Sequence, residues 1–332
     1  MSHDTLSDLL SAVRLRGAVF YYVSFRAEWA AEAAPACEIA EAVMPGAEHV
    51  IEYHMVAKGS AWAAISGLAP VKLAAGDVVM FPHGDAHIMS SAPHLRPERN
   101  DAEWVYQTRN VPKPMTISYH HGVMQPGSTT PVAAADSVLV CGFLGCDLRP
   151  FNPLIGALPR LLHLPAERAG GWISRVIDQA AAESAEGRPG GQAVLERLAE
   201  MMFVDTARRY LDSLPDHATG WLAGLRDRYV GHALALLHAR PEHAWTIDEL
   251  GREVGLSRSA LHERFVEYVG QPPMQYLANW RIQVSSRLLR ETRRTVAAIA
   301  LEVGYESEAA FSRAFKRLVG APPAAWRRAQ MH

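Results

Sequence analysis

Thr295-Val-Ala-Ala-Ile-Ala-Leu-Glu-Val-Gly-Tyr-Glu-Ser-Glu-Ala-Ala-Phe-Ser-Arg-Ala-Phe-Lys-Arg317 reads as a helix, a tight turn and a second helix. Val296, Ile299 and Val303 fall on one helical face, and Phe311 and Phe315 on another. Gly304 stands where a left-handed residue lets the chain turn sharply. Ser307 is placed as the N-cap of the second helix. About fifty residues earlier the same grammar recurs in Trp245-Thr-Ile-Asp-Glu-Leu-Gly-Arg-Glu-Val-Gly-Leu-Ser-Arg-Ser-Ala-Leu-His-Glu-Arg-Phe265. There Ile247, Leu250, Val254 and Leu256 face inward, Gly255 turns and Ser257 caps. Leu261 and Phe265 then pack, which leaves Arg258, Ser259, His262 and Glu263 facing out. A helix presenting Arg and small polar groups fits the major groove of DNA, where Arg can bond guanine through two hydrogen bonds. One such unit also reads as a plain helical hairpin with a solvated charged face, but two in tandem favour a DNA-reading module.

Gly304-Tyr-Glu-Ser-Glu-Ala-Ala-Phe-Ser-Arg-Ala-Phe-Lys-Arg, followed by Gly320-Ala-Pro-Pro-Ala-Ala-Trp-Arg328, resembles the signature of the AraC/XylS family of transcription regulators. The resemblance covers roughly residues 221–330. It implies two helix-turn-helix units joined by one long helix, here about Pro273–Glu291, that sets both reading helices into successive major grooves. Carried over by position, it implies base reading by Ser259, His262 and Glu263 in the first helix and by Ala309, Ala310, Ser312 and Arg313 in the second. Phosphate contacts are implied for helix N-termini, including that at Ser307, and for Arg258, Arg264, Lys316 and Arg317. Two alanines on the second reading face put more weight on thymine methyl contacts and on Arg313.

Charge is divided in the same way. From Leu225 to the end there are 16 Lys and Arg against 11 Asp and Glu, a formal +5, while the remainder carries −7 and the whole chain −2. A basic module on an acidic body suits phosphate neutralisation, though an excess this modest needs specific contacts or dimerisation beside it. The 332 residues are ample for two domains. No apolar run reaches membrane-spanning length, the start lacks a secretion signal, and three cysteines make no disulfide framework. These features predict a cytoplasmic chain without membrane partners.

The first half has short strand-like segments near Gly17–Phe25, His49–Val56, Gly59–Ile65, Val71–Leu73, Val78–Phe81, Thr116–Tyr119 and Ser137–Phe143, after an amphipathic helix carrying Leu6, Leu9, Leu10 and Val13. Such spacing suggests an antiparallel barrel or jelly roll. Gly76-Asp-Val-Val-Met-Phe-Pro-His-Gly-Asp-Ala-His87 resembles the second motif of the cupins. In the first motif the usual His-x-His positions hold Glu52 and His54, and the usual carboxylate falls near Lys58. This departure weakens the alternative of a metal-dependent cupin enzyme, an oxygenase or isomerase. A cupin-like sensor is what the family resemblance implies, and Val140–Pro159 also looks like one subgroup of such sensors.

Cys141 and Cys146 support three readings. They could join two histidines among His54, His83 and His87 in a zinc shell. They could form a redox switch by disulfide formation. They could simply pack as small hydrophobes. Trp29, Trp62 and Trp104 either line a barrel mouth or belong to a core. Leu161–Ala182 and Gln192–Ser213 read as helices, the second with Val194, Leu195, Leu198, Met201, Met202 and Val204 on an apolar face suited to dimerisation or relay. The expected architecture is therefore a multidomain β plus α chain. A cupin-like sensor spans 1–160, a helical connector 161–220, and an all-α double helix-turn-helix domain 221–332. The expected function is a homodimeric, sequence-specific regulator of transcription. Its partners are double-stranded DNA and, in one reading, RNA polymerase, and its barrel senses a small molecule, metal or oxidant. A barrel that only dimerises is the further alternative.

Overall fold

The computed structural model describes residues 4–97, 101–120, 123–126, 134–169, 172, 175–176, 178–179 and 189–330. The chain divides into two compact units, one of Leu15–Cys146 with Leu158–Ser213, the other of Met1–Arg14, Asp147–Ala157 and Leu214–His332.

The first unit is a two-sheet β structure. Its strands are β1 (Arg16–Phe25), β2 (Ala30–Ala33), β3 (His49–Lys58), β4 (Ser60–Ile65), β5 (Val71–Ala74), β6 (Val78–Phe81), β7 (His87–Ser90), β8 (Met115–His120), β9 (Val123–Pro126), β10 (Ser137–Cys146) and β11 (Leu162–Leu164). The larger sheet runs β11-β6-β3-β10-β1-β8-β9 and the smaller β2-β7-β4-β5. Pairing is antiparallel except between β1 and β8, which run parallel. A shared apolar core draws Val23 and Phe25 from β1, Leu139 and Phe143 from β10, Ala61 and Ile65 from β4, and Met89 from β7.

β3 is buried along nearly its whole length, because both of its faces are covered. The helix Gly191–Ser213 packs on β1 through Leu195, Ala199, Met202, Phe203 and Ala207. Gly17 permits that approach, since a Cβ there would lie 2.6 Å from the Ala199 Cβ and 2.8 Å from the Glu196 carbonyl oxygen. The apolar face expected for dimerisation is thus partly spent on the sheet, while Val194 and Met201 remain exposed. Leu162–Leu164, expected in a helix, forms β11 instead because it completes the edge beside β6. Much of the rest of that expected helix lies outside the described residues.

The second unit is helical. Thr246 caps the helix Ile247–Val254, Gly255 turns in the left-handed region, and Ser257 caps Arg258–Val269. Pro273–Glu291 is one continuous helix with Pro at its start, where no backbone donor is needed. Thr295 caps Val296–Glu302, Gly304 turns at φ +87°, and Ser307 caps Glu308–Val319. Ile282, Leu289, Ile299, Val303, Phe311, Phe315 and Trp326 make the core beneath the second pair. The helix Thr5–Ala12 joins this unit, packing Leu6 and Leu9 against Arg228–Ala239 and Pro273–Glu291.

Candidate nucleic-acid interface and sensor cavity

The two turn-linked helix pairs present matching outer faces. Ser257 Oγ accepts from Ala260 N–H at 3.3 Å and Ser307 Oγ from Ala310 N–H at 3.2 Å, so both second helices begin at a fixed point. With Leu261, Phe265, Phe311 and Phe315 buried, Arg258, Ser259, His262 and Glu263 are exposed on one face. Glu308, Ala309, Arg313, Lys316 and Arg317 are exposed on the other, with Ala310 and Ser312 half-buried beside them. Arg258 makes a long ion pair, 3.7 Å, to Asp248 between two exposed side chains.

Arg264 departs from expectation. Its Nε and Nη2 both bond the carboxylate of Asp227, at 3.0 Å and 2.5 Å, and its guanidinium lies over Tyr229 and Tyr268. Asp227 also caps the helix Arg228–Ala239 through Tyr229 and Val230 N–H. Arg264 therefore ties two helices together, while its side chain stays 41% exposed. Arg258 is the more exposed of the two cations on this helix, 68% against 41% for the Arg264 side chain.

In the β unit a cavity of about 60 Å³ opens between the two sheets. Tyr21, Val23 and Phe25 of β1, Leu139, Cys141 and Phe143 of β10, Tyr119 of β8 and Met89 of β7 surround it, with Trp104 on the helix Ala102–Thr108. Three further polar groups line it: Glu52, His54 and Asp101. Register explains the grouping, because Tyr21, Cys141 and His54 stand in one row across β1, β10 and β3, and Glu52 lies two residues from His54 on the same face. Gly142 lets Tyr53 cross β10 and donate to the Ala18 carbonyl at 2.8 Å.

His54 is the centre of a relay. His87 Nδ1 is 2.9 Å from the Asp85 carbonyl oxygen, which can only accept, so that nitrogen carries the proton. His87 Nε2 then accepts from His54 Nε2 at 2.7 Å, and His54 Nδ1 accepts from the Cys141 thiol at 2.9 Å. Burial holds both imidazoles neutral, lowering His54 well below the usual histidine range and His87 to about 4. Burial also pushes the Cys141 thiol far up, which keeps it protonated.

This geometry does not fit zinc. A zinc shell needs lone pairs converging on one point, whereas His54 uses opposite ring nitrogens for Cys141 and His87. Among the described residues no three His, Cys, Asp or Glu groups converge as a metal shell. His83 is exposed and bonds the Leu158 carbonyl at 2.9 Å, apart from the relay. Cys146 does not pair with Cys141. Five residues apart on β10, they point to opposite faces, at a separation of roughly 16 Å that no disulfide within the chain spans. Cys141 faces the cavity and Cys146 is buried elsewhere.

Glu52 is 2% exposed, and its Oε1 is buried without a hydrogen-bond partner. Burial, with the nearby Asp101 adding to it, raises its pKa well above the usual carboxylate range. Asp101 is itself raised to about 6, chiefly by burial, although it accepts from Ala34 N–H at 2.9 Å. Of the three tryptophans only Trp104 borders the cavity. Trp29 is core, stacked on Phe25 at 3.7 Å between centroids, and Trp62 is half-buried on β4. Asp101 carried no signal in the sequence, because it precedes a short helix and belongs to no motif.

A family profile described as Cupin matches residues 4–212, and one described as a helix-turn-helix domain matches 250–329. An AraC-like transcription regulator of Streptomyces lividans is 31% identical over 330 residues, 98% of each chain. The HTH-type transcriptional regulator AlkR of Acinetobacter baylyi is 27% identical over 318 residues, 95% of each chain. The DNA-binding domain of AdpA, solved in complex with a target DNA, is 29% identical, covering 31% of this chain and 92% of that one with a TM-score of 0.30. No helix among the described residues is long and apolar enough to cross a membrane. With a profile spanning more than half of its length and a relative alike along nearly all of it, the chain belongs to the AraC-type transcription regulators, as a DNA-binding regulator with an N-terminal cupin domain and not an enzyme.

Proposed function

We propose that this regulator responds to a small molecule bound in the cavity between the cupin sheets, and that a homodimer reads paired half-sites through the exposed faces of Arg258–Val269 and Glu308–Val319. The buried Glu52 carboxyl, with one oxygen unpartnered inside an aromatic-lined cavity, carries the effector part of this reading. An unsatisfied buried polar atom costs about 1–3 kcal/mol, which a bound ligand would offset. The effector shifts DNA affinity by binding one conformation better than another. The hydrogen-bonded relay of His54 supports a small molecule over a metal.

The test begins with selection of the operator from random DNA by the purified protein. On that operator Arg313→Ala should cost about 1–3 kcal/mol and relax preference at one base pair, while Arg317→Ala should weaken all sequences alike. Leu139→Trp, which fills the cavity, should fix the response of an operator-driven reporter at one level across growth conditions. A reporter that still responds as in the wild type would remove the cavity from the reading.

A further inference from the structure

The polar groups of the cavity are unevenly matched. Tyr119 donates to the Ala30 carbonyl, Cys141 to His54, and the Tyr21 hydroxyl is engaged with Thr108. His54 Nε2–H is used by His87. These donors have partners within the protein, whereas Glu52 Oε1 has none and Asp101 lines the same space. Among the described residues the lining contains two carboxyl groups and no Lys or Arg. Its walls include the rings of Tyr21, Trp104, Phe25, Tyr119 and Phe143, with Tyr21 edge-on to Trp104 at 5.4 Å and to Phe143 at 6.4 Å.

Resting on the effector reading above, we propose that the cavity selects an organic ammonium ion, a primary or secondary amine whose N–H groups meet Glu52 and Asp101 and whose apolar body lies against the aromatic wall. Three observations point the same way. A buried carboxyl oxygen without a partner calls for a ligand that donates to it. Two carboxyl groups in one lining favour a cation once one arrives, because its charge stabilises their ionised forms, although the Lys113 ammonium already lies 5.1 Å from the Tyr21 ring centroid. Aromatic faces attract a cation and its adjoining methylenes. The cavity is well below the size that admits benzene, about 150 Å³. A short alkyl body therefore fits it as it stands, and a longer one enters by repacking the unbranched Met89 and Met124.

The experiment titrates the full-length protein at neutral pH with n-butylamine, n-butanol and butyrate, read by calorimetry and by thermal shift. The amine should bind at least tenfold more tightly than the matched alcohol or acid. Glu52→Gln and Asp101→Asn are close in shape, and Asn keeps an acceptor for Ala34 N–H. Each should abolish most of that preference while leaving near-ultraviolet circular dichroism unchanged. Alcohol or butyrate binding as tightly as the amine would overturn the ammonium assignment yet leave the cavity as an effector site, provided that Leu139→Trp blocks it. Failure of ethylamine through octylamine to bind would overturn the assignment as well. Amine binding that survives Leu139→Trp would place the amine elsewhere and remove the support for both readings.

Discussion

Cys141 is held as a thiol by the two features that make it look reactive in sequence. It faces a cavity and touches a histidine, but burial disfavours the thiolate, and the neutral His54 accepts its proton as a hydrogen bond without removing it. Cys146 is 3% exposed, while Cys37 is exposed. Native protein treated with iodoacetamide at pH 8 should therefore be alkylated at Cys37 long before the other two, as peptide mass spectrometry would read. Rapid labelling of Cys141 would mean that the relay transfers the proton to His54. Asp101 gives a second residue-level prediction. Its folded-state value of about 6 lies above the ordinary 3.8, so its contribution is fully present below about 3.8 and is lost as pH rises through 6. Asp101→Asn should gain stability relative to the wild type across that window and hold a constant difference above it. Thermal melts at pH 4 and 7 check this, and an equal difference at both would remove the buried carboxylate from the account.

At the level of elements, the two helix-turn-helix units look interchangeable in sequence and are not in space. Gly255 and Gly304 both turn in the left-handed region, at φ +81° and +87°. Around Gly255 nothing lies within 4 Å of where a Cβ would stand, but at Gly304 it would meet the Glu242 carbonyl oxygen at 2.6 Å and the Arg281 guanidinium at 2.7 Å. Arg281 is held there by the Pro241 and His243 carbonyls, at 2.6 Å and 2.8 Å, so it cannot simply step aside. Gly255→Ala should cost only the left-handed backbone term, about 1–2 kcal/mol. Gly304→Ala should cost more by a further 1–3 kcal/mol or so of overpacking. Urea denaturation would rank them, and equal losses would mean that the Glu242 turn yields freely. Caps, turns and the linking helix were legible in the sequence because each rests on local chemistry: Ser257, Ser307, Gly255, Gly304 and Pro273 stand where local rules put them. Sheet register was not legible. The row of Tyr21, Cys141 and His54 depends on pairing between strands more than eighty residues apart. Without that register Cys146 looked like a partner for Cys141, and Asp101 looked like nothing. The pairing of Arg264 was hidden for the same reason, since its partner Asp227 lies 37 residues away as the cap of another helix.

For the whole molecule, the unexpected feature is which segments belong to the DNA-binding unit. The helix Thr5–Ala12 buries Leu9 completely, and Gln283 in the linking helix Pro273–Glu291 donates to the Ala12 carbonyl at 2.8 Å. The same Gln283 accepts from Phe151 N–H at 3.0 Å. Asp147, 2% exposed, accepts from Arg14 at 2.6 Å and from the buried Arg290 of the linking helix at 2.7 Å. No local pattern announces such packing, because Leu9 and Pro273–Glu291 are separated by most of the chain. The consequence is that the linking helix, which sets the spacing of the two reading helices, is stabilised by residues that flank the strands of the cavity. Arg14 leads into β1 and Asp147 follows β10 in the chain. Leu9→Ala removes a fully buried side chain and should cost about 2–5 kcal/mol. That loss should fall on the DNA-binding unit despite the distance in sequence. Hydrogen exchange would show it as faster exchange in Pro273–Glu291, with the amides of β3 and β10 unchanged, and operator affinity should fall with it. Asp147→Asn should act in the same direction by leaving Arg290 buried without its counter-charge, a change that costs about 3–5 kcal/mol where no relaxation is available. If Leu9→Ala instead loosened β3 and β10 and spared Pro273–Glu291, the first helix would belong energetically to the sensor, and the linking helix would keep its geometry without it.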